Sequence, residues 1–185
     1  MNKKGFTLIE LLAVIVILGL LFTMAIPNIS RNIERQRLNT YIDESKQLVA
    51  IAKSTMKKNV NLEYPDTNQA VILTLDFLDT KDLDKDSYGR KYNDDYSYVA
   101  ITYDGSKYTY YVQLIACLNG SCNINNNADW RGVALVKESL LSEEGSIKYA
   151  VSGNCKVINY NTLSEIKTAT GNDSITSTVI HDGDD

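Results

Sequence analysis

Apolar and polar positions along the chain follow three successive patterns. Residues 6–26 are apolar on every side, and Glu10 is their one ionisable side chain. From 28 to 59 the apolar residues recur mostly at intervals of three and four. From 96 to 180, short runs rich in tyrosine and β-branched residues alternate with turn sequences. These patterns predict an apolar helix, an amphipathic helix and a set of β-strands, in that order.

The first pattern predicts a membrane span. Twenty-one residues at about 1.5 Å each give a helix of roughly 30 Å, which matches the hydrocarbon core of a bilayer. Lys3 and Lys4 precede the apolar run, so the positive-inside rule places residues 1–5 in the cytoplasm and those after 27 outside. We therefore expect residues 6–27 to anchor the protein in the cell membrane as a single pass.

The second pattern predicts that the helix continues with one face on a core. Proline lacks an amide hydrogen and crowds the carbonyl four residues before it, so we expect a kink or local melting near Pro27. Charged side chains occupy much of the remaining surface. The apolar stripe comprises Ile29, Ile33, Leu38, Ile42, Val49, Ala52 and Met56.

The third pattern predicts an antiparallel sheet of four or more strands that covers the amphipathic helix, which makes an α+β fold. Residues 60–95 form the connecting region, in which 69–85 are expected to be a short helix or an irregular connector. Residues 96–103 and 108–117 read as two strands joined at Asp104-Gly105, a strong hairpin signal. Further strand candidates are 133–136, 147–151, 156–160 and 174–180.

Residues 3–10, KKGFTLIE, carry a specific motif. They resemble the processing site of type IV pilins and pseudopilins. The resemblance implies that a prepilin peptidase cleaves between Gly5 and Phe6, removes leader 1–5 and leaves an N-methylated Phe6. An ordinary secretory signal is cleaved after its apolar region, whereas this cleavage point lies before it. The resemblance also implies the type IV pilin fold, with 28–185 as the globular head on a long helix.

The same resemblance gives Glu10 and Phe6 a role in assembly. An unpaired carboxylate in apolar surroundings must be protonated or find a cation. The α-amino group of Phe6 in a neighbouring subunit would supply that cation after cleavage. We therefore expect Glu10 to fix the register in which subunits dock, while membrane insertion does not depend on it.

Gly19 and Pro27 bound a second segment to which the resemblance gives a role. In the family, the stretch between such residues is helical in the free subunit and can unwind in the filament. A plain bend where the helix leaves the membrane is the alternative. Further along, residues 86–92, DSYGRKY, resemble a degenerate form of the Asp-Pro-Trp-Gly-x-Pro-Tyr loop that leads into the sheet of pilins and pseudopilins.

Charge and residue types narrow the chemistry. The net charge of −4 gives no indication of the basic surface that binds nucleic acid. The single histidine, His181, leaves no Ser-His-Asp, Cys-His or multi-histidine arrangement in the core. The alternating aspartates 79, 82, 84 and 86 lack the glycine and the distal glutamate of a calcium loop. We therefore expect no enzyme activity, no cofactor and no metal site.

Three cysteines leave alternatives open. Cys117 and Cys122 flank a turn-like sequence and could face each other across a hairpin. Cys117 could instead pair with Cys155 if their strands are neighbours, and all three thiols could remain reduced. A disulfide is chemically permitted in an extracytoplasmic domain.

The resemblance implies a structural subunit of a type IV pilus. Such a pilin is stored in the membrane and then polymerised by an inner-membrane assembly platform and a cytoplasmic ATPase into a surface filament for adhesion or twitching motility. The first alternative is a pseudopilin of a type II secretion or competence DNA-uptake pseudopilus. The second is a signal-anchored binding protein that does not polymerise.

Overall fold

The structure is a computed structural model in which two compact units are distinguished, Met1–Arg37 and Leu38–Asp185. The helix α1, Leu8–Lys58, begins in the first unit and ends in the second. The second unit is called the head below. The residues that the structure describes are 7–78, 80–81, 83, 85–117, 122, 129–153, 167, 171 and 174–180, without the side chains of 24–28 and 152.

Helix α1 ends where its sequence stops favouring a helix. Lys57 and Lys58 lie in the last turn, where positive charge interacts favourably with the helix dipole. The amide of Asn59 still donates to Thr55 O at 2.9 Å, and the Asn59 side chain accepts from the amide of Asn61 at 3.0 Å. The side chain of Asn59 therefore turns the chain out of the helix.

In the head, α1 buries the face that the apolar pattern predicts, from Ile42 to Met56. The same face also buries Ser45, whose hydroxyl donates to Tyr41 O at 2.8 Å and is thereby satisfied without water. The predicted stripe is wrong at its start, because Ile29 and Ile33 are 56% and 44% exposed. Spacing alone does not show where along a helix its core contacts begin.

The connecting region contains a strand that the sequence interpretation missed. Strand β1, Gln69–Thr74, occupies the start of the segment for which a short helix or irregular connector was expected, so that prediction is wrong there. Five consecutive residues of β1 are buried, so the run shows no alternation of apolar and polar positions. A short apolar run of this kind does not distinguish a buried strand from a helix by periodicity.

Among the described residues, six strands form one sheet in the order β5-β4-β3-β2-β1-β6. Every neighbouring pair is antiparallel except β1 and β6, which are parallel. The remaining strands are β2 (Tyr98–Tyr103), β3 (Tyr108–Cys117), β4 (Trp130–Lys137), β5 (Ala150–Ser152) and β6 (Thr176–Ile180).

The local sequence predicted some of the strands correctly and others incorrectly. The β2–β3 hairpin turns at Asp104-Gly105 as predicted, with Gly105 at φ 93° and Asp104 Oδ1 accepting from two amides of the turn. Of the strand expected at 147–151, Ser146–Tyr149 is instead a 3-10 helix that leads into β5. Most of the strand expected at 174–180 is β6, although its pairing is parallel. The candidate at 156–160 lies outside the described residues.

Both faces of the sheet are buried. One face packs with α1 in the main core, which includes Leu48, Leu73, Ile101 and Leu114. The opposite face buries Ile72, Tyr98 and Ala100, among others, in a separate cluster. Burial on both sides explains why these strands read as continuous apolar runs. The result is an N-terminal helix packed on a six-stranded, mostly antiparallel sheet.

A bulge lies in the pairing of β3 with β4. The pairing of β3 with β4 shifts between Val112 and Leu114. Nearby, Gly132 has φ +134°, and a Cβ atom there would lie 1.9 Å from the Leu114 carbonyl oxygen. The close approach of the two backbones therefore requires glycine at this position.

Candidate assembly site

The predicted assembly residue Glu10 lies in the first turn of α1 and closes a capping box. Its Oε2 accepts from Thr7 N at 2.9 Å and from Thr7 Oγ1 at 2.8 Å, while Glu10 N donates to Thr7 Oγ1 at 3.3 Å. The sequence Thr7-Leu8-Ile9-Glu10 matches the Ser/Thr-x-x-Glu signature of this motif. The role of Thr7 was thus legible in the sequence, but the interpretation above missed it.

The helix that carries Glu10 presents an apolar surface. Between residues 8 and 22, twelve large apolar side chains have exposed fractions from 44% to 83%. A continuous apolar surface of this extent is typical of a helix that is covered by lipid or by other helices. The side chains are Leu8, Ile9, Leu11, Leu12, Val14, Ile15, Val16, Ile17, Leu18, Leu20, Leu21 and Phe22.

Gly19 and Pro27 both lie inside α1, whose helical assignment runs unbroken from Leu8 to Lys58. A Cβ atom added at Gly19 would meet nothing within 4 Å, so no packing among the described residues demands glycine there. The side chains of 24–28 lie outside the described residues. Unwinding of the segment in a filament stays a prediction.

The processing residues lie outside what the structure describes. Gly5 and Phe6 belong to the undescribed segment 1–6, so cleavage and methylation stay predictions. Within the described part of the chain, no helix combines the length and the hydropathy that a membrane crossing requires.

In the head, a buried ion pair fixes the loop 86–92 to α1. The side chain of Asp86 is fully buried, and its carboxylate accepts five hydrogen bonds. Tyr41 Oη on α1 donates at 2.9 Å, Arg90 Nε donates at 2.8 Å, and Arg90 Nη2 also donates. The amides of Tyr88 and Arg90 donate to the other oxygen, each at 2.9 Å. This loop is the one that resembles the pilin loop leading into the sheet.

Burial alone would raise the pKa of Asp86, but the Arg90 side chain, the Arg90 and Tyr88 amides and the Tyr41 hydroxyl together hold it below its ordinary value. The same surroundings raise the pKa of Tyr41, through burial first and the adjacent Asp86 second. Asp86 is therefore ionised in the folded head, and the Tyr41 hydroxyl keeps its proton for the hydrogen bond.

A second contact joins the same loop to α1 one turn further on. The hydroxyl of Tyr92 donates to Glu44. Burial raises the pKa of Glu44, although this hydrogen bond opposes the rise. We call Tyr41, Glu44, Asp86, Arg90 and Tyr92 the clasp. Three residues of the loop thus contact two residues of α1 that are far from them in the sequence. The periodicity along the helix did not predict these contacts.

Cys117 and Cys122 are joined by a disulfide, with their Cα atoms 5.4 Å apart. This is one of the two pairings that the sequence left open, and Cys155 lies outside the described residues.

Among the residues that the structure describes, no group of three or more His, Cys, Asp or Glu side chains could hold a metal ion. Of the four aspartates considered above, Asp79, Asp82 and Asp84 are outside the described part, and Asp86 belongs to the clasp.

These features define a class of protein. The family model of the prokaryotic N-terminal methylation motif matches residues 1–26, and the helix packed on a six-stranded sheet is consistent with the pilin fold. In its N-terminal motif and its fold class the chain is therefore similar to the type IV pilins and pseudopilins.

Its similarity to known proteins is more specific than that class. Over 71 residues it is 36% identical to the type II secretion system core protein G of Escherichia coli strain K12, a match that covers 38% of this chain and 47% of that protein. It is 37% identical over 71 residues to the same-named protein of Klebsiella pneumoniae, covering 38% and 49%. The chain thus spans about half the length of the curated relatives it matches. No solved structure gives a significant match.

Proposed function

We propose that this protein is a pseudopilin, a membrane-anchored structural subunit that polymerises into the short filament of a secretion or DNA-uptake machine. The observation that carries the proposal is the similarity to two type II secretion core proteins G. That similarity favours the pseudopilin alternative over the surface pilus that the sequence interpretation placed first.

The apolar surface of α1 supports storage followed by polymerisation. A helix that is apolar on every side between residues 8 and 22 is stable when lipid covers it, and equally when copies of itself do. Copies can replace lipid without exposing the surface to water. We therefore propose that the segment 6–27 resides in the membrane before assembly and in the centre of the filament afterwards.

Glu10 supplies the register of that assembly in this proposal. In the free chain its carboxylate is satisfied by Thr7. The α-amino group of Phe6 in a neighbouring subunit, created by the prepilin peptidase, offers it a cation instead. A buried ion pair is weak evidence for net stability, but fixing register is its best-supported use. Every misplaced axial offset leaves the amine without a carboxylate.

The proposal is tested by deleting the gene in its host and complementing it with three alleles. These are the wild type, Glu10→Leu, and Glu34→Gln as a control that removes a carboxylate from the same helix outside the apolar segment. We expect protein secretion or DNA uptake to be lost in the deletion strain and restored by the wild type and by Glu34→Gln. Glu10→Leu should be membrane-embedded, yet should give no ladder of cross-linked subunits and no restoration.

Two results would contradict the proposal in different ways. Loss of twitching and of sheared surface filaments, with normal secretion and DNA uptake, would assign the chain to a type IV pilus. A wild-type protein that never forms cross-linked ladders would instead indicate the signal-anchored binding protein.

A further inference from the structure

A short basic stretch of α1 follows its apolar part. Residues 29–37 read ISRNIERQR, with three arginines and one glutamate, and lie within the first compact unit. No lysine or arginine occurs between Lys4 and Arg31. Removal of the expected leader 1–5 would therefore leave this stretch with the basic side chains nearest to the apolar part of the helix.

Two of the arginines carry positive charge that no described group neutralises. Arg31 and Arg35 are both exposed, and neither forms an ion pair or a side-chain hydrogen bond with a described residue. They are four residues apart, so their side chains lie on the same side of the helix, where like charges repel each other. Glu34, the one acid of the stretch, is half-buried and already engaged in an interaction of its own.

Exposed apolar side chains lie on the other side of the same turns. Ile29 and Ile33 are 56% and 44% exposed and are also four residues apart. From Ile29 to Arg31 the helix rotates by about 200°, so the isoleucines and the arginines lie on nearly opposite sides. A helix that exposes isoleucine and unpaired arginine at one level suits the boundary between lipid tails and lipid headgroups.

The position of the arginines along α1 fits that boundary. The apolar run ends at residue 26, and Arg31 lies five residues further, about 7.5 Å by helical rise. The headgroup region adds roughly 5–7 Å to each side of the hydrocarbon core. Side chains of an α-helix tilt toward its N-terminus, so Arg31 and Arg35 extend back toward the apolar part. Both guanidinium groups can therefore reach the level of the lipid phosphates.

We propose that Arg31 and Arg35 bind the phosphate groups of anionic phospholipids at the membrane surface before the subunit assembles. The site rests on the proposed function, which places the segment 6–27 in the membrane. A guanidinium group presents paired N–H donors that match two phosphate oxygens. Ile29 continues the apolar contact of residues 8–22 up to the headgroups. Together these contacts hold α1 at one depth in the bilayer.

Continuity with the apolar surface favours a lipid over other anions. Free phosphate would use the arginines and leave Ile29 and Ile33 in water. An acidic side chain of a second copy would likewise match only the charge. A phospholipid offers phosphate and hydrocarbon together, next to a surface of α1 that is apolar from residue 8 to 22. The combination of arginine and isoleucine on one short stretch is therefore the reason to choose this occupant.

The test measures lipid binding to the purified full chain in neutral detergent micelles by native mass spectrometry. The two probes are phosphatidylglycerol, which is anionic, and phosphatidylcholine, which carries no net charge. We expect phosphatidylglycerol to bind at least about fivefold more tightly, since each arginine near an anionic lipid surface contributes about that factor. The double variant Arg31→Gln, Arg35→Gln should bind the two lipids equally. Higher salt should reduce the preference of the wild type.

The matched control is the double variant Lys57→Gln, Lys58→Gln. It removes two exposed positive charges from the other end of the same helix, and it should keep the full preference for phosphatidylglycerol. Circular dichroism should show both double variants folded. A preference that survives the loss of both arginines would overturn the proposal. So would inorganic phosphate that binds to the micellar protein as tightly as phosphatidylglycerol in a calorimetric titration.

Failure of this site and failure of the proposed function give different results. A wild-type chain that forms cross-linked ladders but shows no lipid preference would overturn the lipid site alone. A chain that shows the preference but never forms ladders would support the lipid site and contradict polymerisation. If Arg31→Gln, Arg35→Gln lost the ladders and kept the preference, the arginines would instead bind an acid of a second copy.

Discussion

Thr7 in the same chain holds Glu10, and in the proposed assembly the α-amino group of Phe6 in a neighbouring subunit is its second partner. In the free chain its carboxylate accepts from the amide and hydroxyl of Thr7, 2.9 and 2.8 Å away. A carboxylate held in this way has no need of a second chain until a stronger donor arrives. A protonated amine carries a full positive charge, which the amide and hydroxyl of Thr7 lack, so it attracts the carboxylate more strongly where water is excluded. In the proposed function, the capping box therefore keeps Glu10 hydrogen-bonded until the subunit assembles.

Asp86 links the loop 86–92 to α1, because its buried carboxylate accepts hydrogen bonds from both Tyr41 of α1 and Arg90. We expect Asp86→Ala to lower the free energy of unfolding by about 3–5 kcal/mol, since it leaves a largely buried guanidinium without its partner. Lys85→Ala, an exposed change next to the same loop, should cost less than about 0.5 kcal/mol. Denaturant unfolding of the purified chain measures both.

Acid should remove the stabilisation that the ionised Asp86 carboxylate provides. The folded pKa of Asp86 lies below its ordinary value of 3.8, so its stabilisation is complete above that value and is lost as the pH falls through the folded pKa. We expect the difference in free energy of unfolding between the wild type and Asp86→Asn to be constant near neutrality. This difference should become smaller below about pH 3.8. A gap that widens on acidification would show that Asp86 is not ionised in the fold.

At the scale of elements, sequence periodicity succeeded where one face of an element is solvated. The α1 face from Ile42 to Met56 was predicted because polar positions mark its outer side. The β2–β3 hairpin was predicted from its tyrosine and β-branched residues and from the turn signal at Asp104-Gly105. Periodicity failed at β1, which is buried on both faces. The parallel pairing of β1 with β6 depends on strands far apart in sequence, and no local pattern encodes it.

At Gly132, the methyl group of an alanine should strongly destabilise the contact between β3 and β4. A Cβ atom there would lie 1.9 Å from the Leu114 carbonyl oxygen, whereas one at Gly145, also at positive φ, would meet nothing within 4 Å. We expect Gly145→Ala to cost about 1–2 kcal/mol from backbone strain alone. Gly132→Ala should cost several-fold more or prevent folding. Thermal unfolding of both variants, compared with the wild type, measures the difference.

The disulfide between Cys117 and Cys122 closes a short loop at the end of β3, with a sequence separation of five residues. Loop-closure entropy for a ring of this size gives about 2 kcal/mol. We therefore expect Cys122→Ser to lower the melting temperature modestly and to leave the head folded. Thiol titration of protein made in an oxidising host should find one free cysteine, and three free thiols would exclude any disulfide.

At the scale of the whole molecule, the class was predictable from eight residues near the amino terminus, because cleavage and methylation depend on a short linear motif. The helix-plus-sheet fold followed from three successive patterns. The clasp could not be predicted, because it joins α1 to residues more than forty positions later through hydrogen bonds that leave no periodic trace. The choice between pilus and pseudopilus came from similarity rather than from any pattern.

Processing is the whole-molecule prediction. We expect the mature chain to begin at Phe6 and to carry one methyl group on its α-nitrogen. Mass spectrometry of protein from the host membrane should show the loss of residues 1–5 and the gain of one methyl. Gly5→Val should leave the precursor uncut, while Asn2→Ala should be processed normally. An intact Met1 in the membrane fraction would contradict the prediction.

The parallel pairing of β1 with β6 joins two distant parts of the chain. Thr74 Oγ1 donates to Ile180 O at 2.7 Å, although the two residues are 106 positions apart. A ribosome makes β1 well before β6, and closing so long a loop is slow. Until β6 arrives, one edge of β1 stays open to water and to other chains. The sheet can therefore be completed only after the chain has been made as far as Ile180.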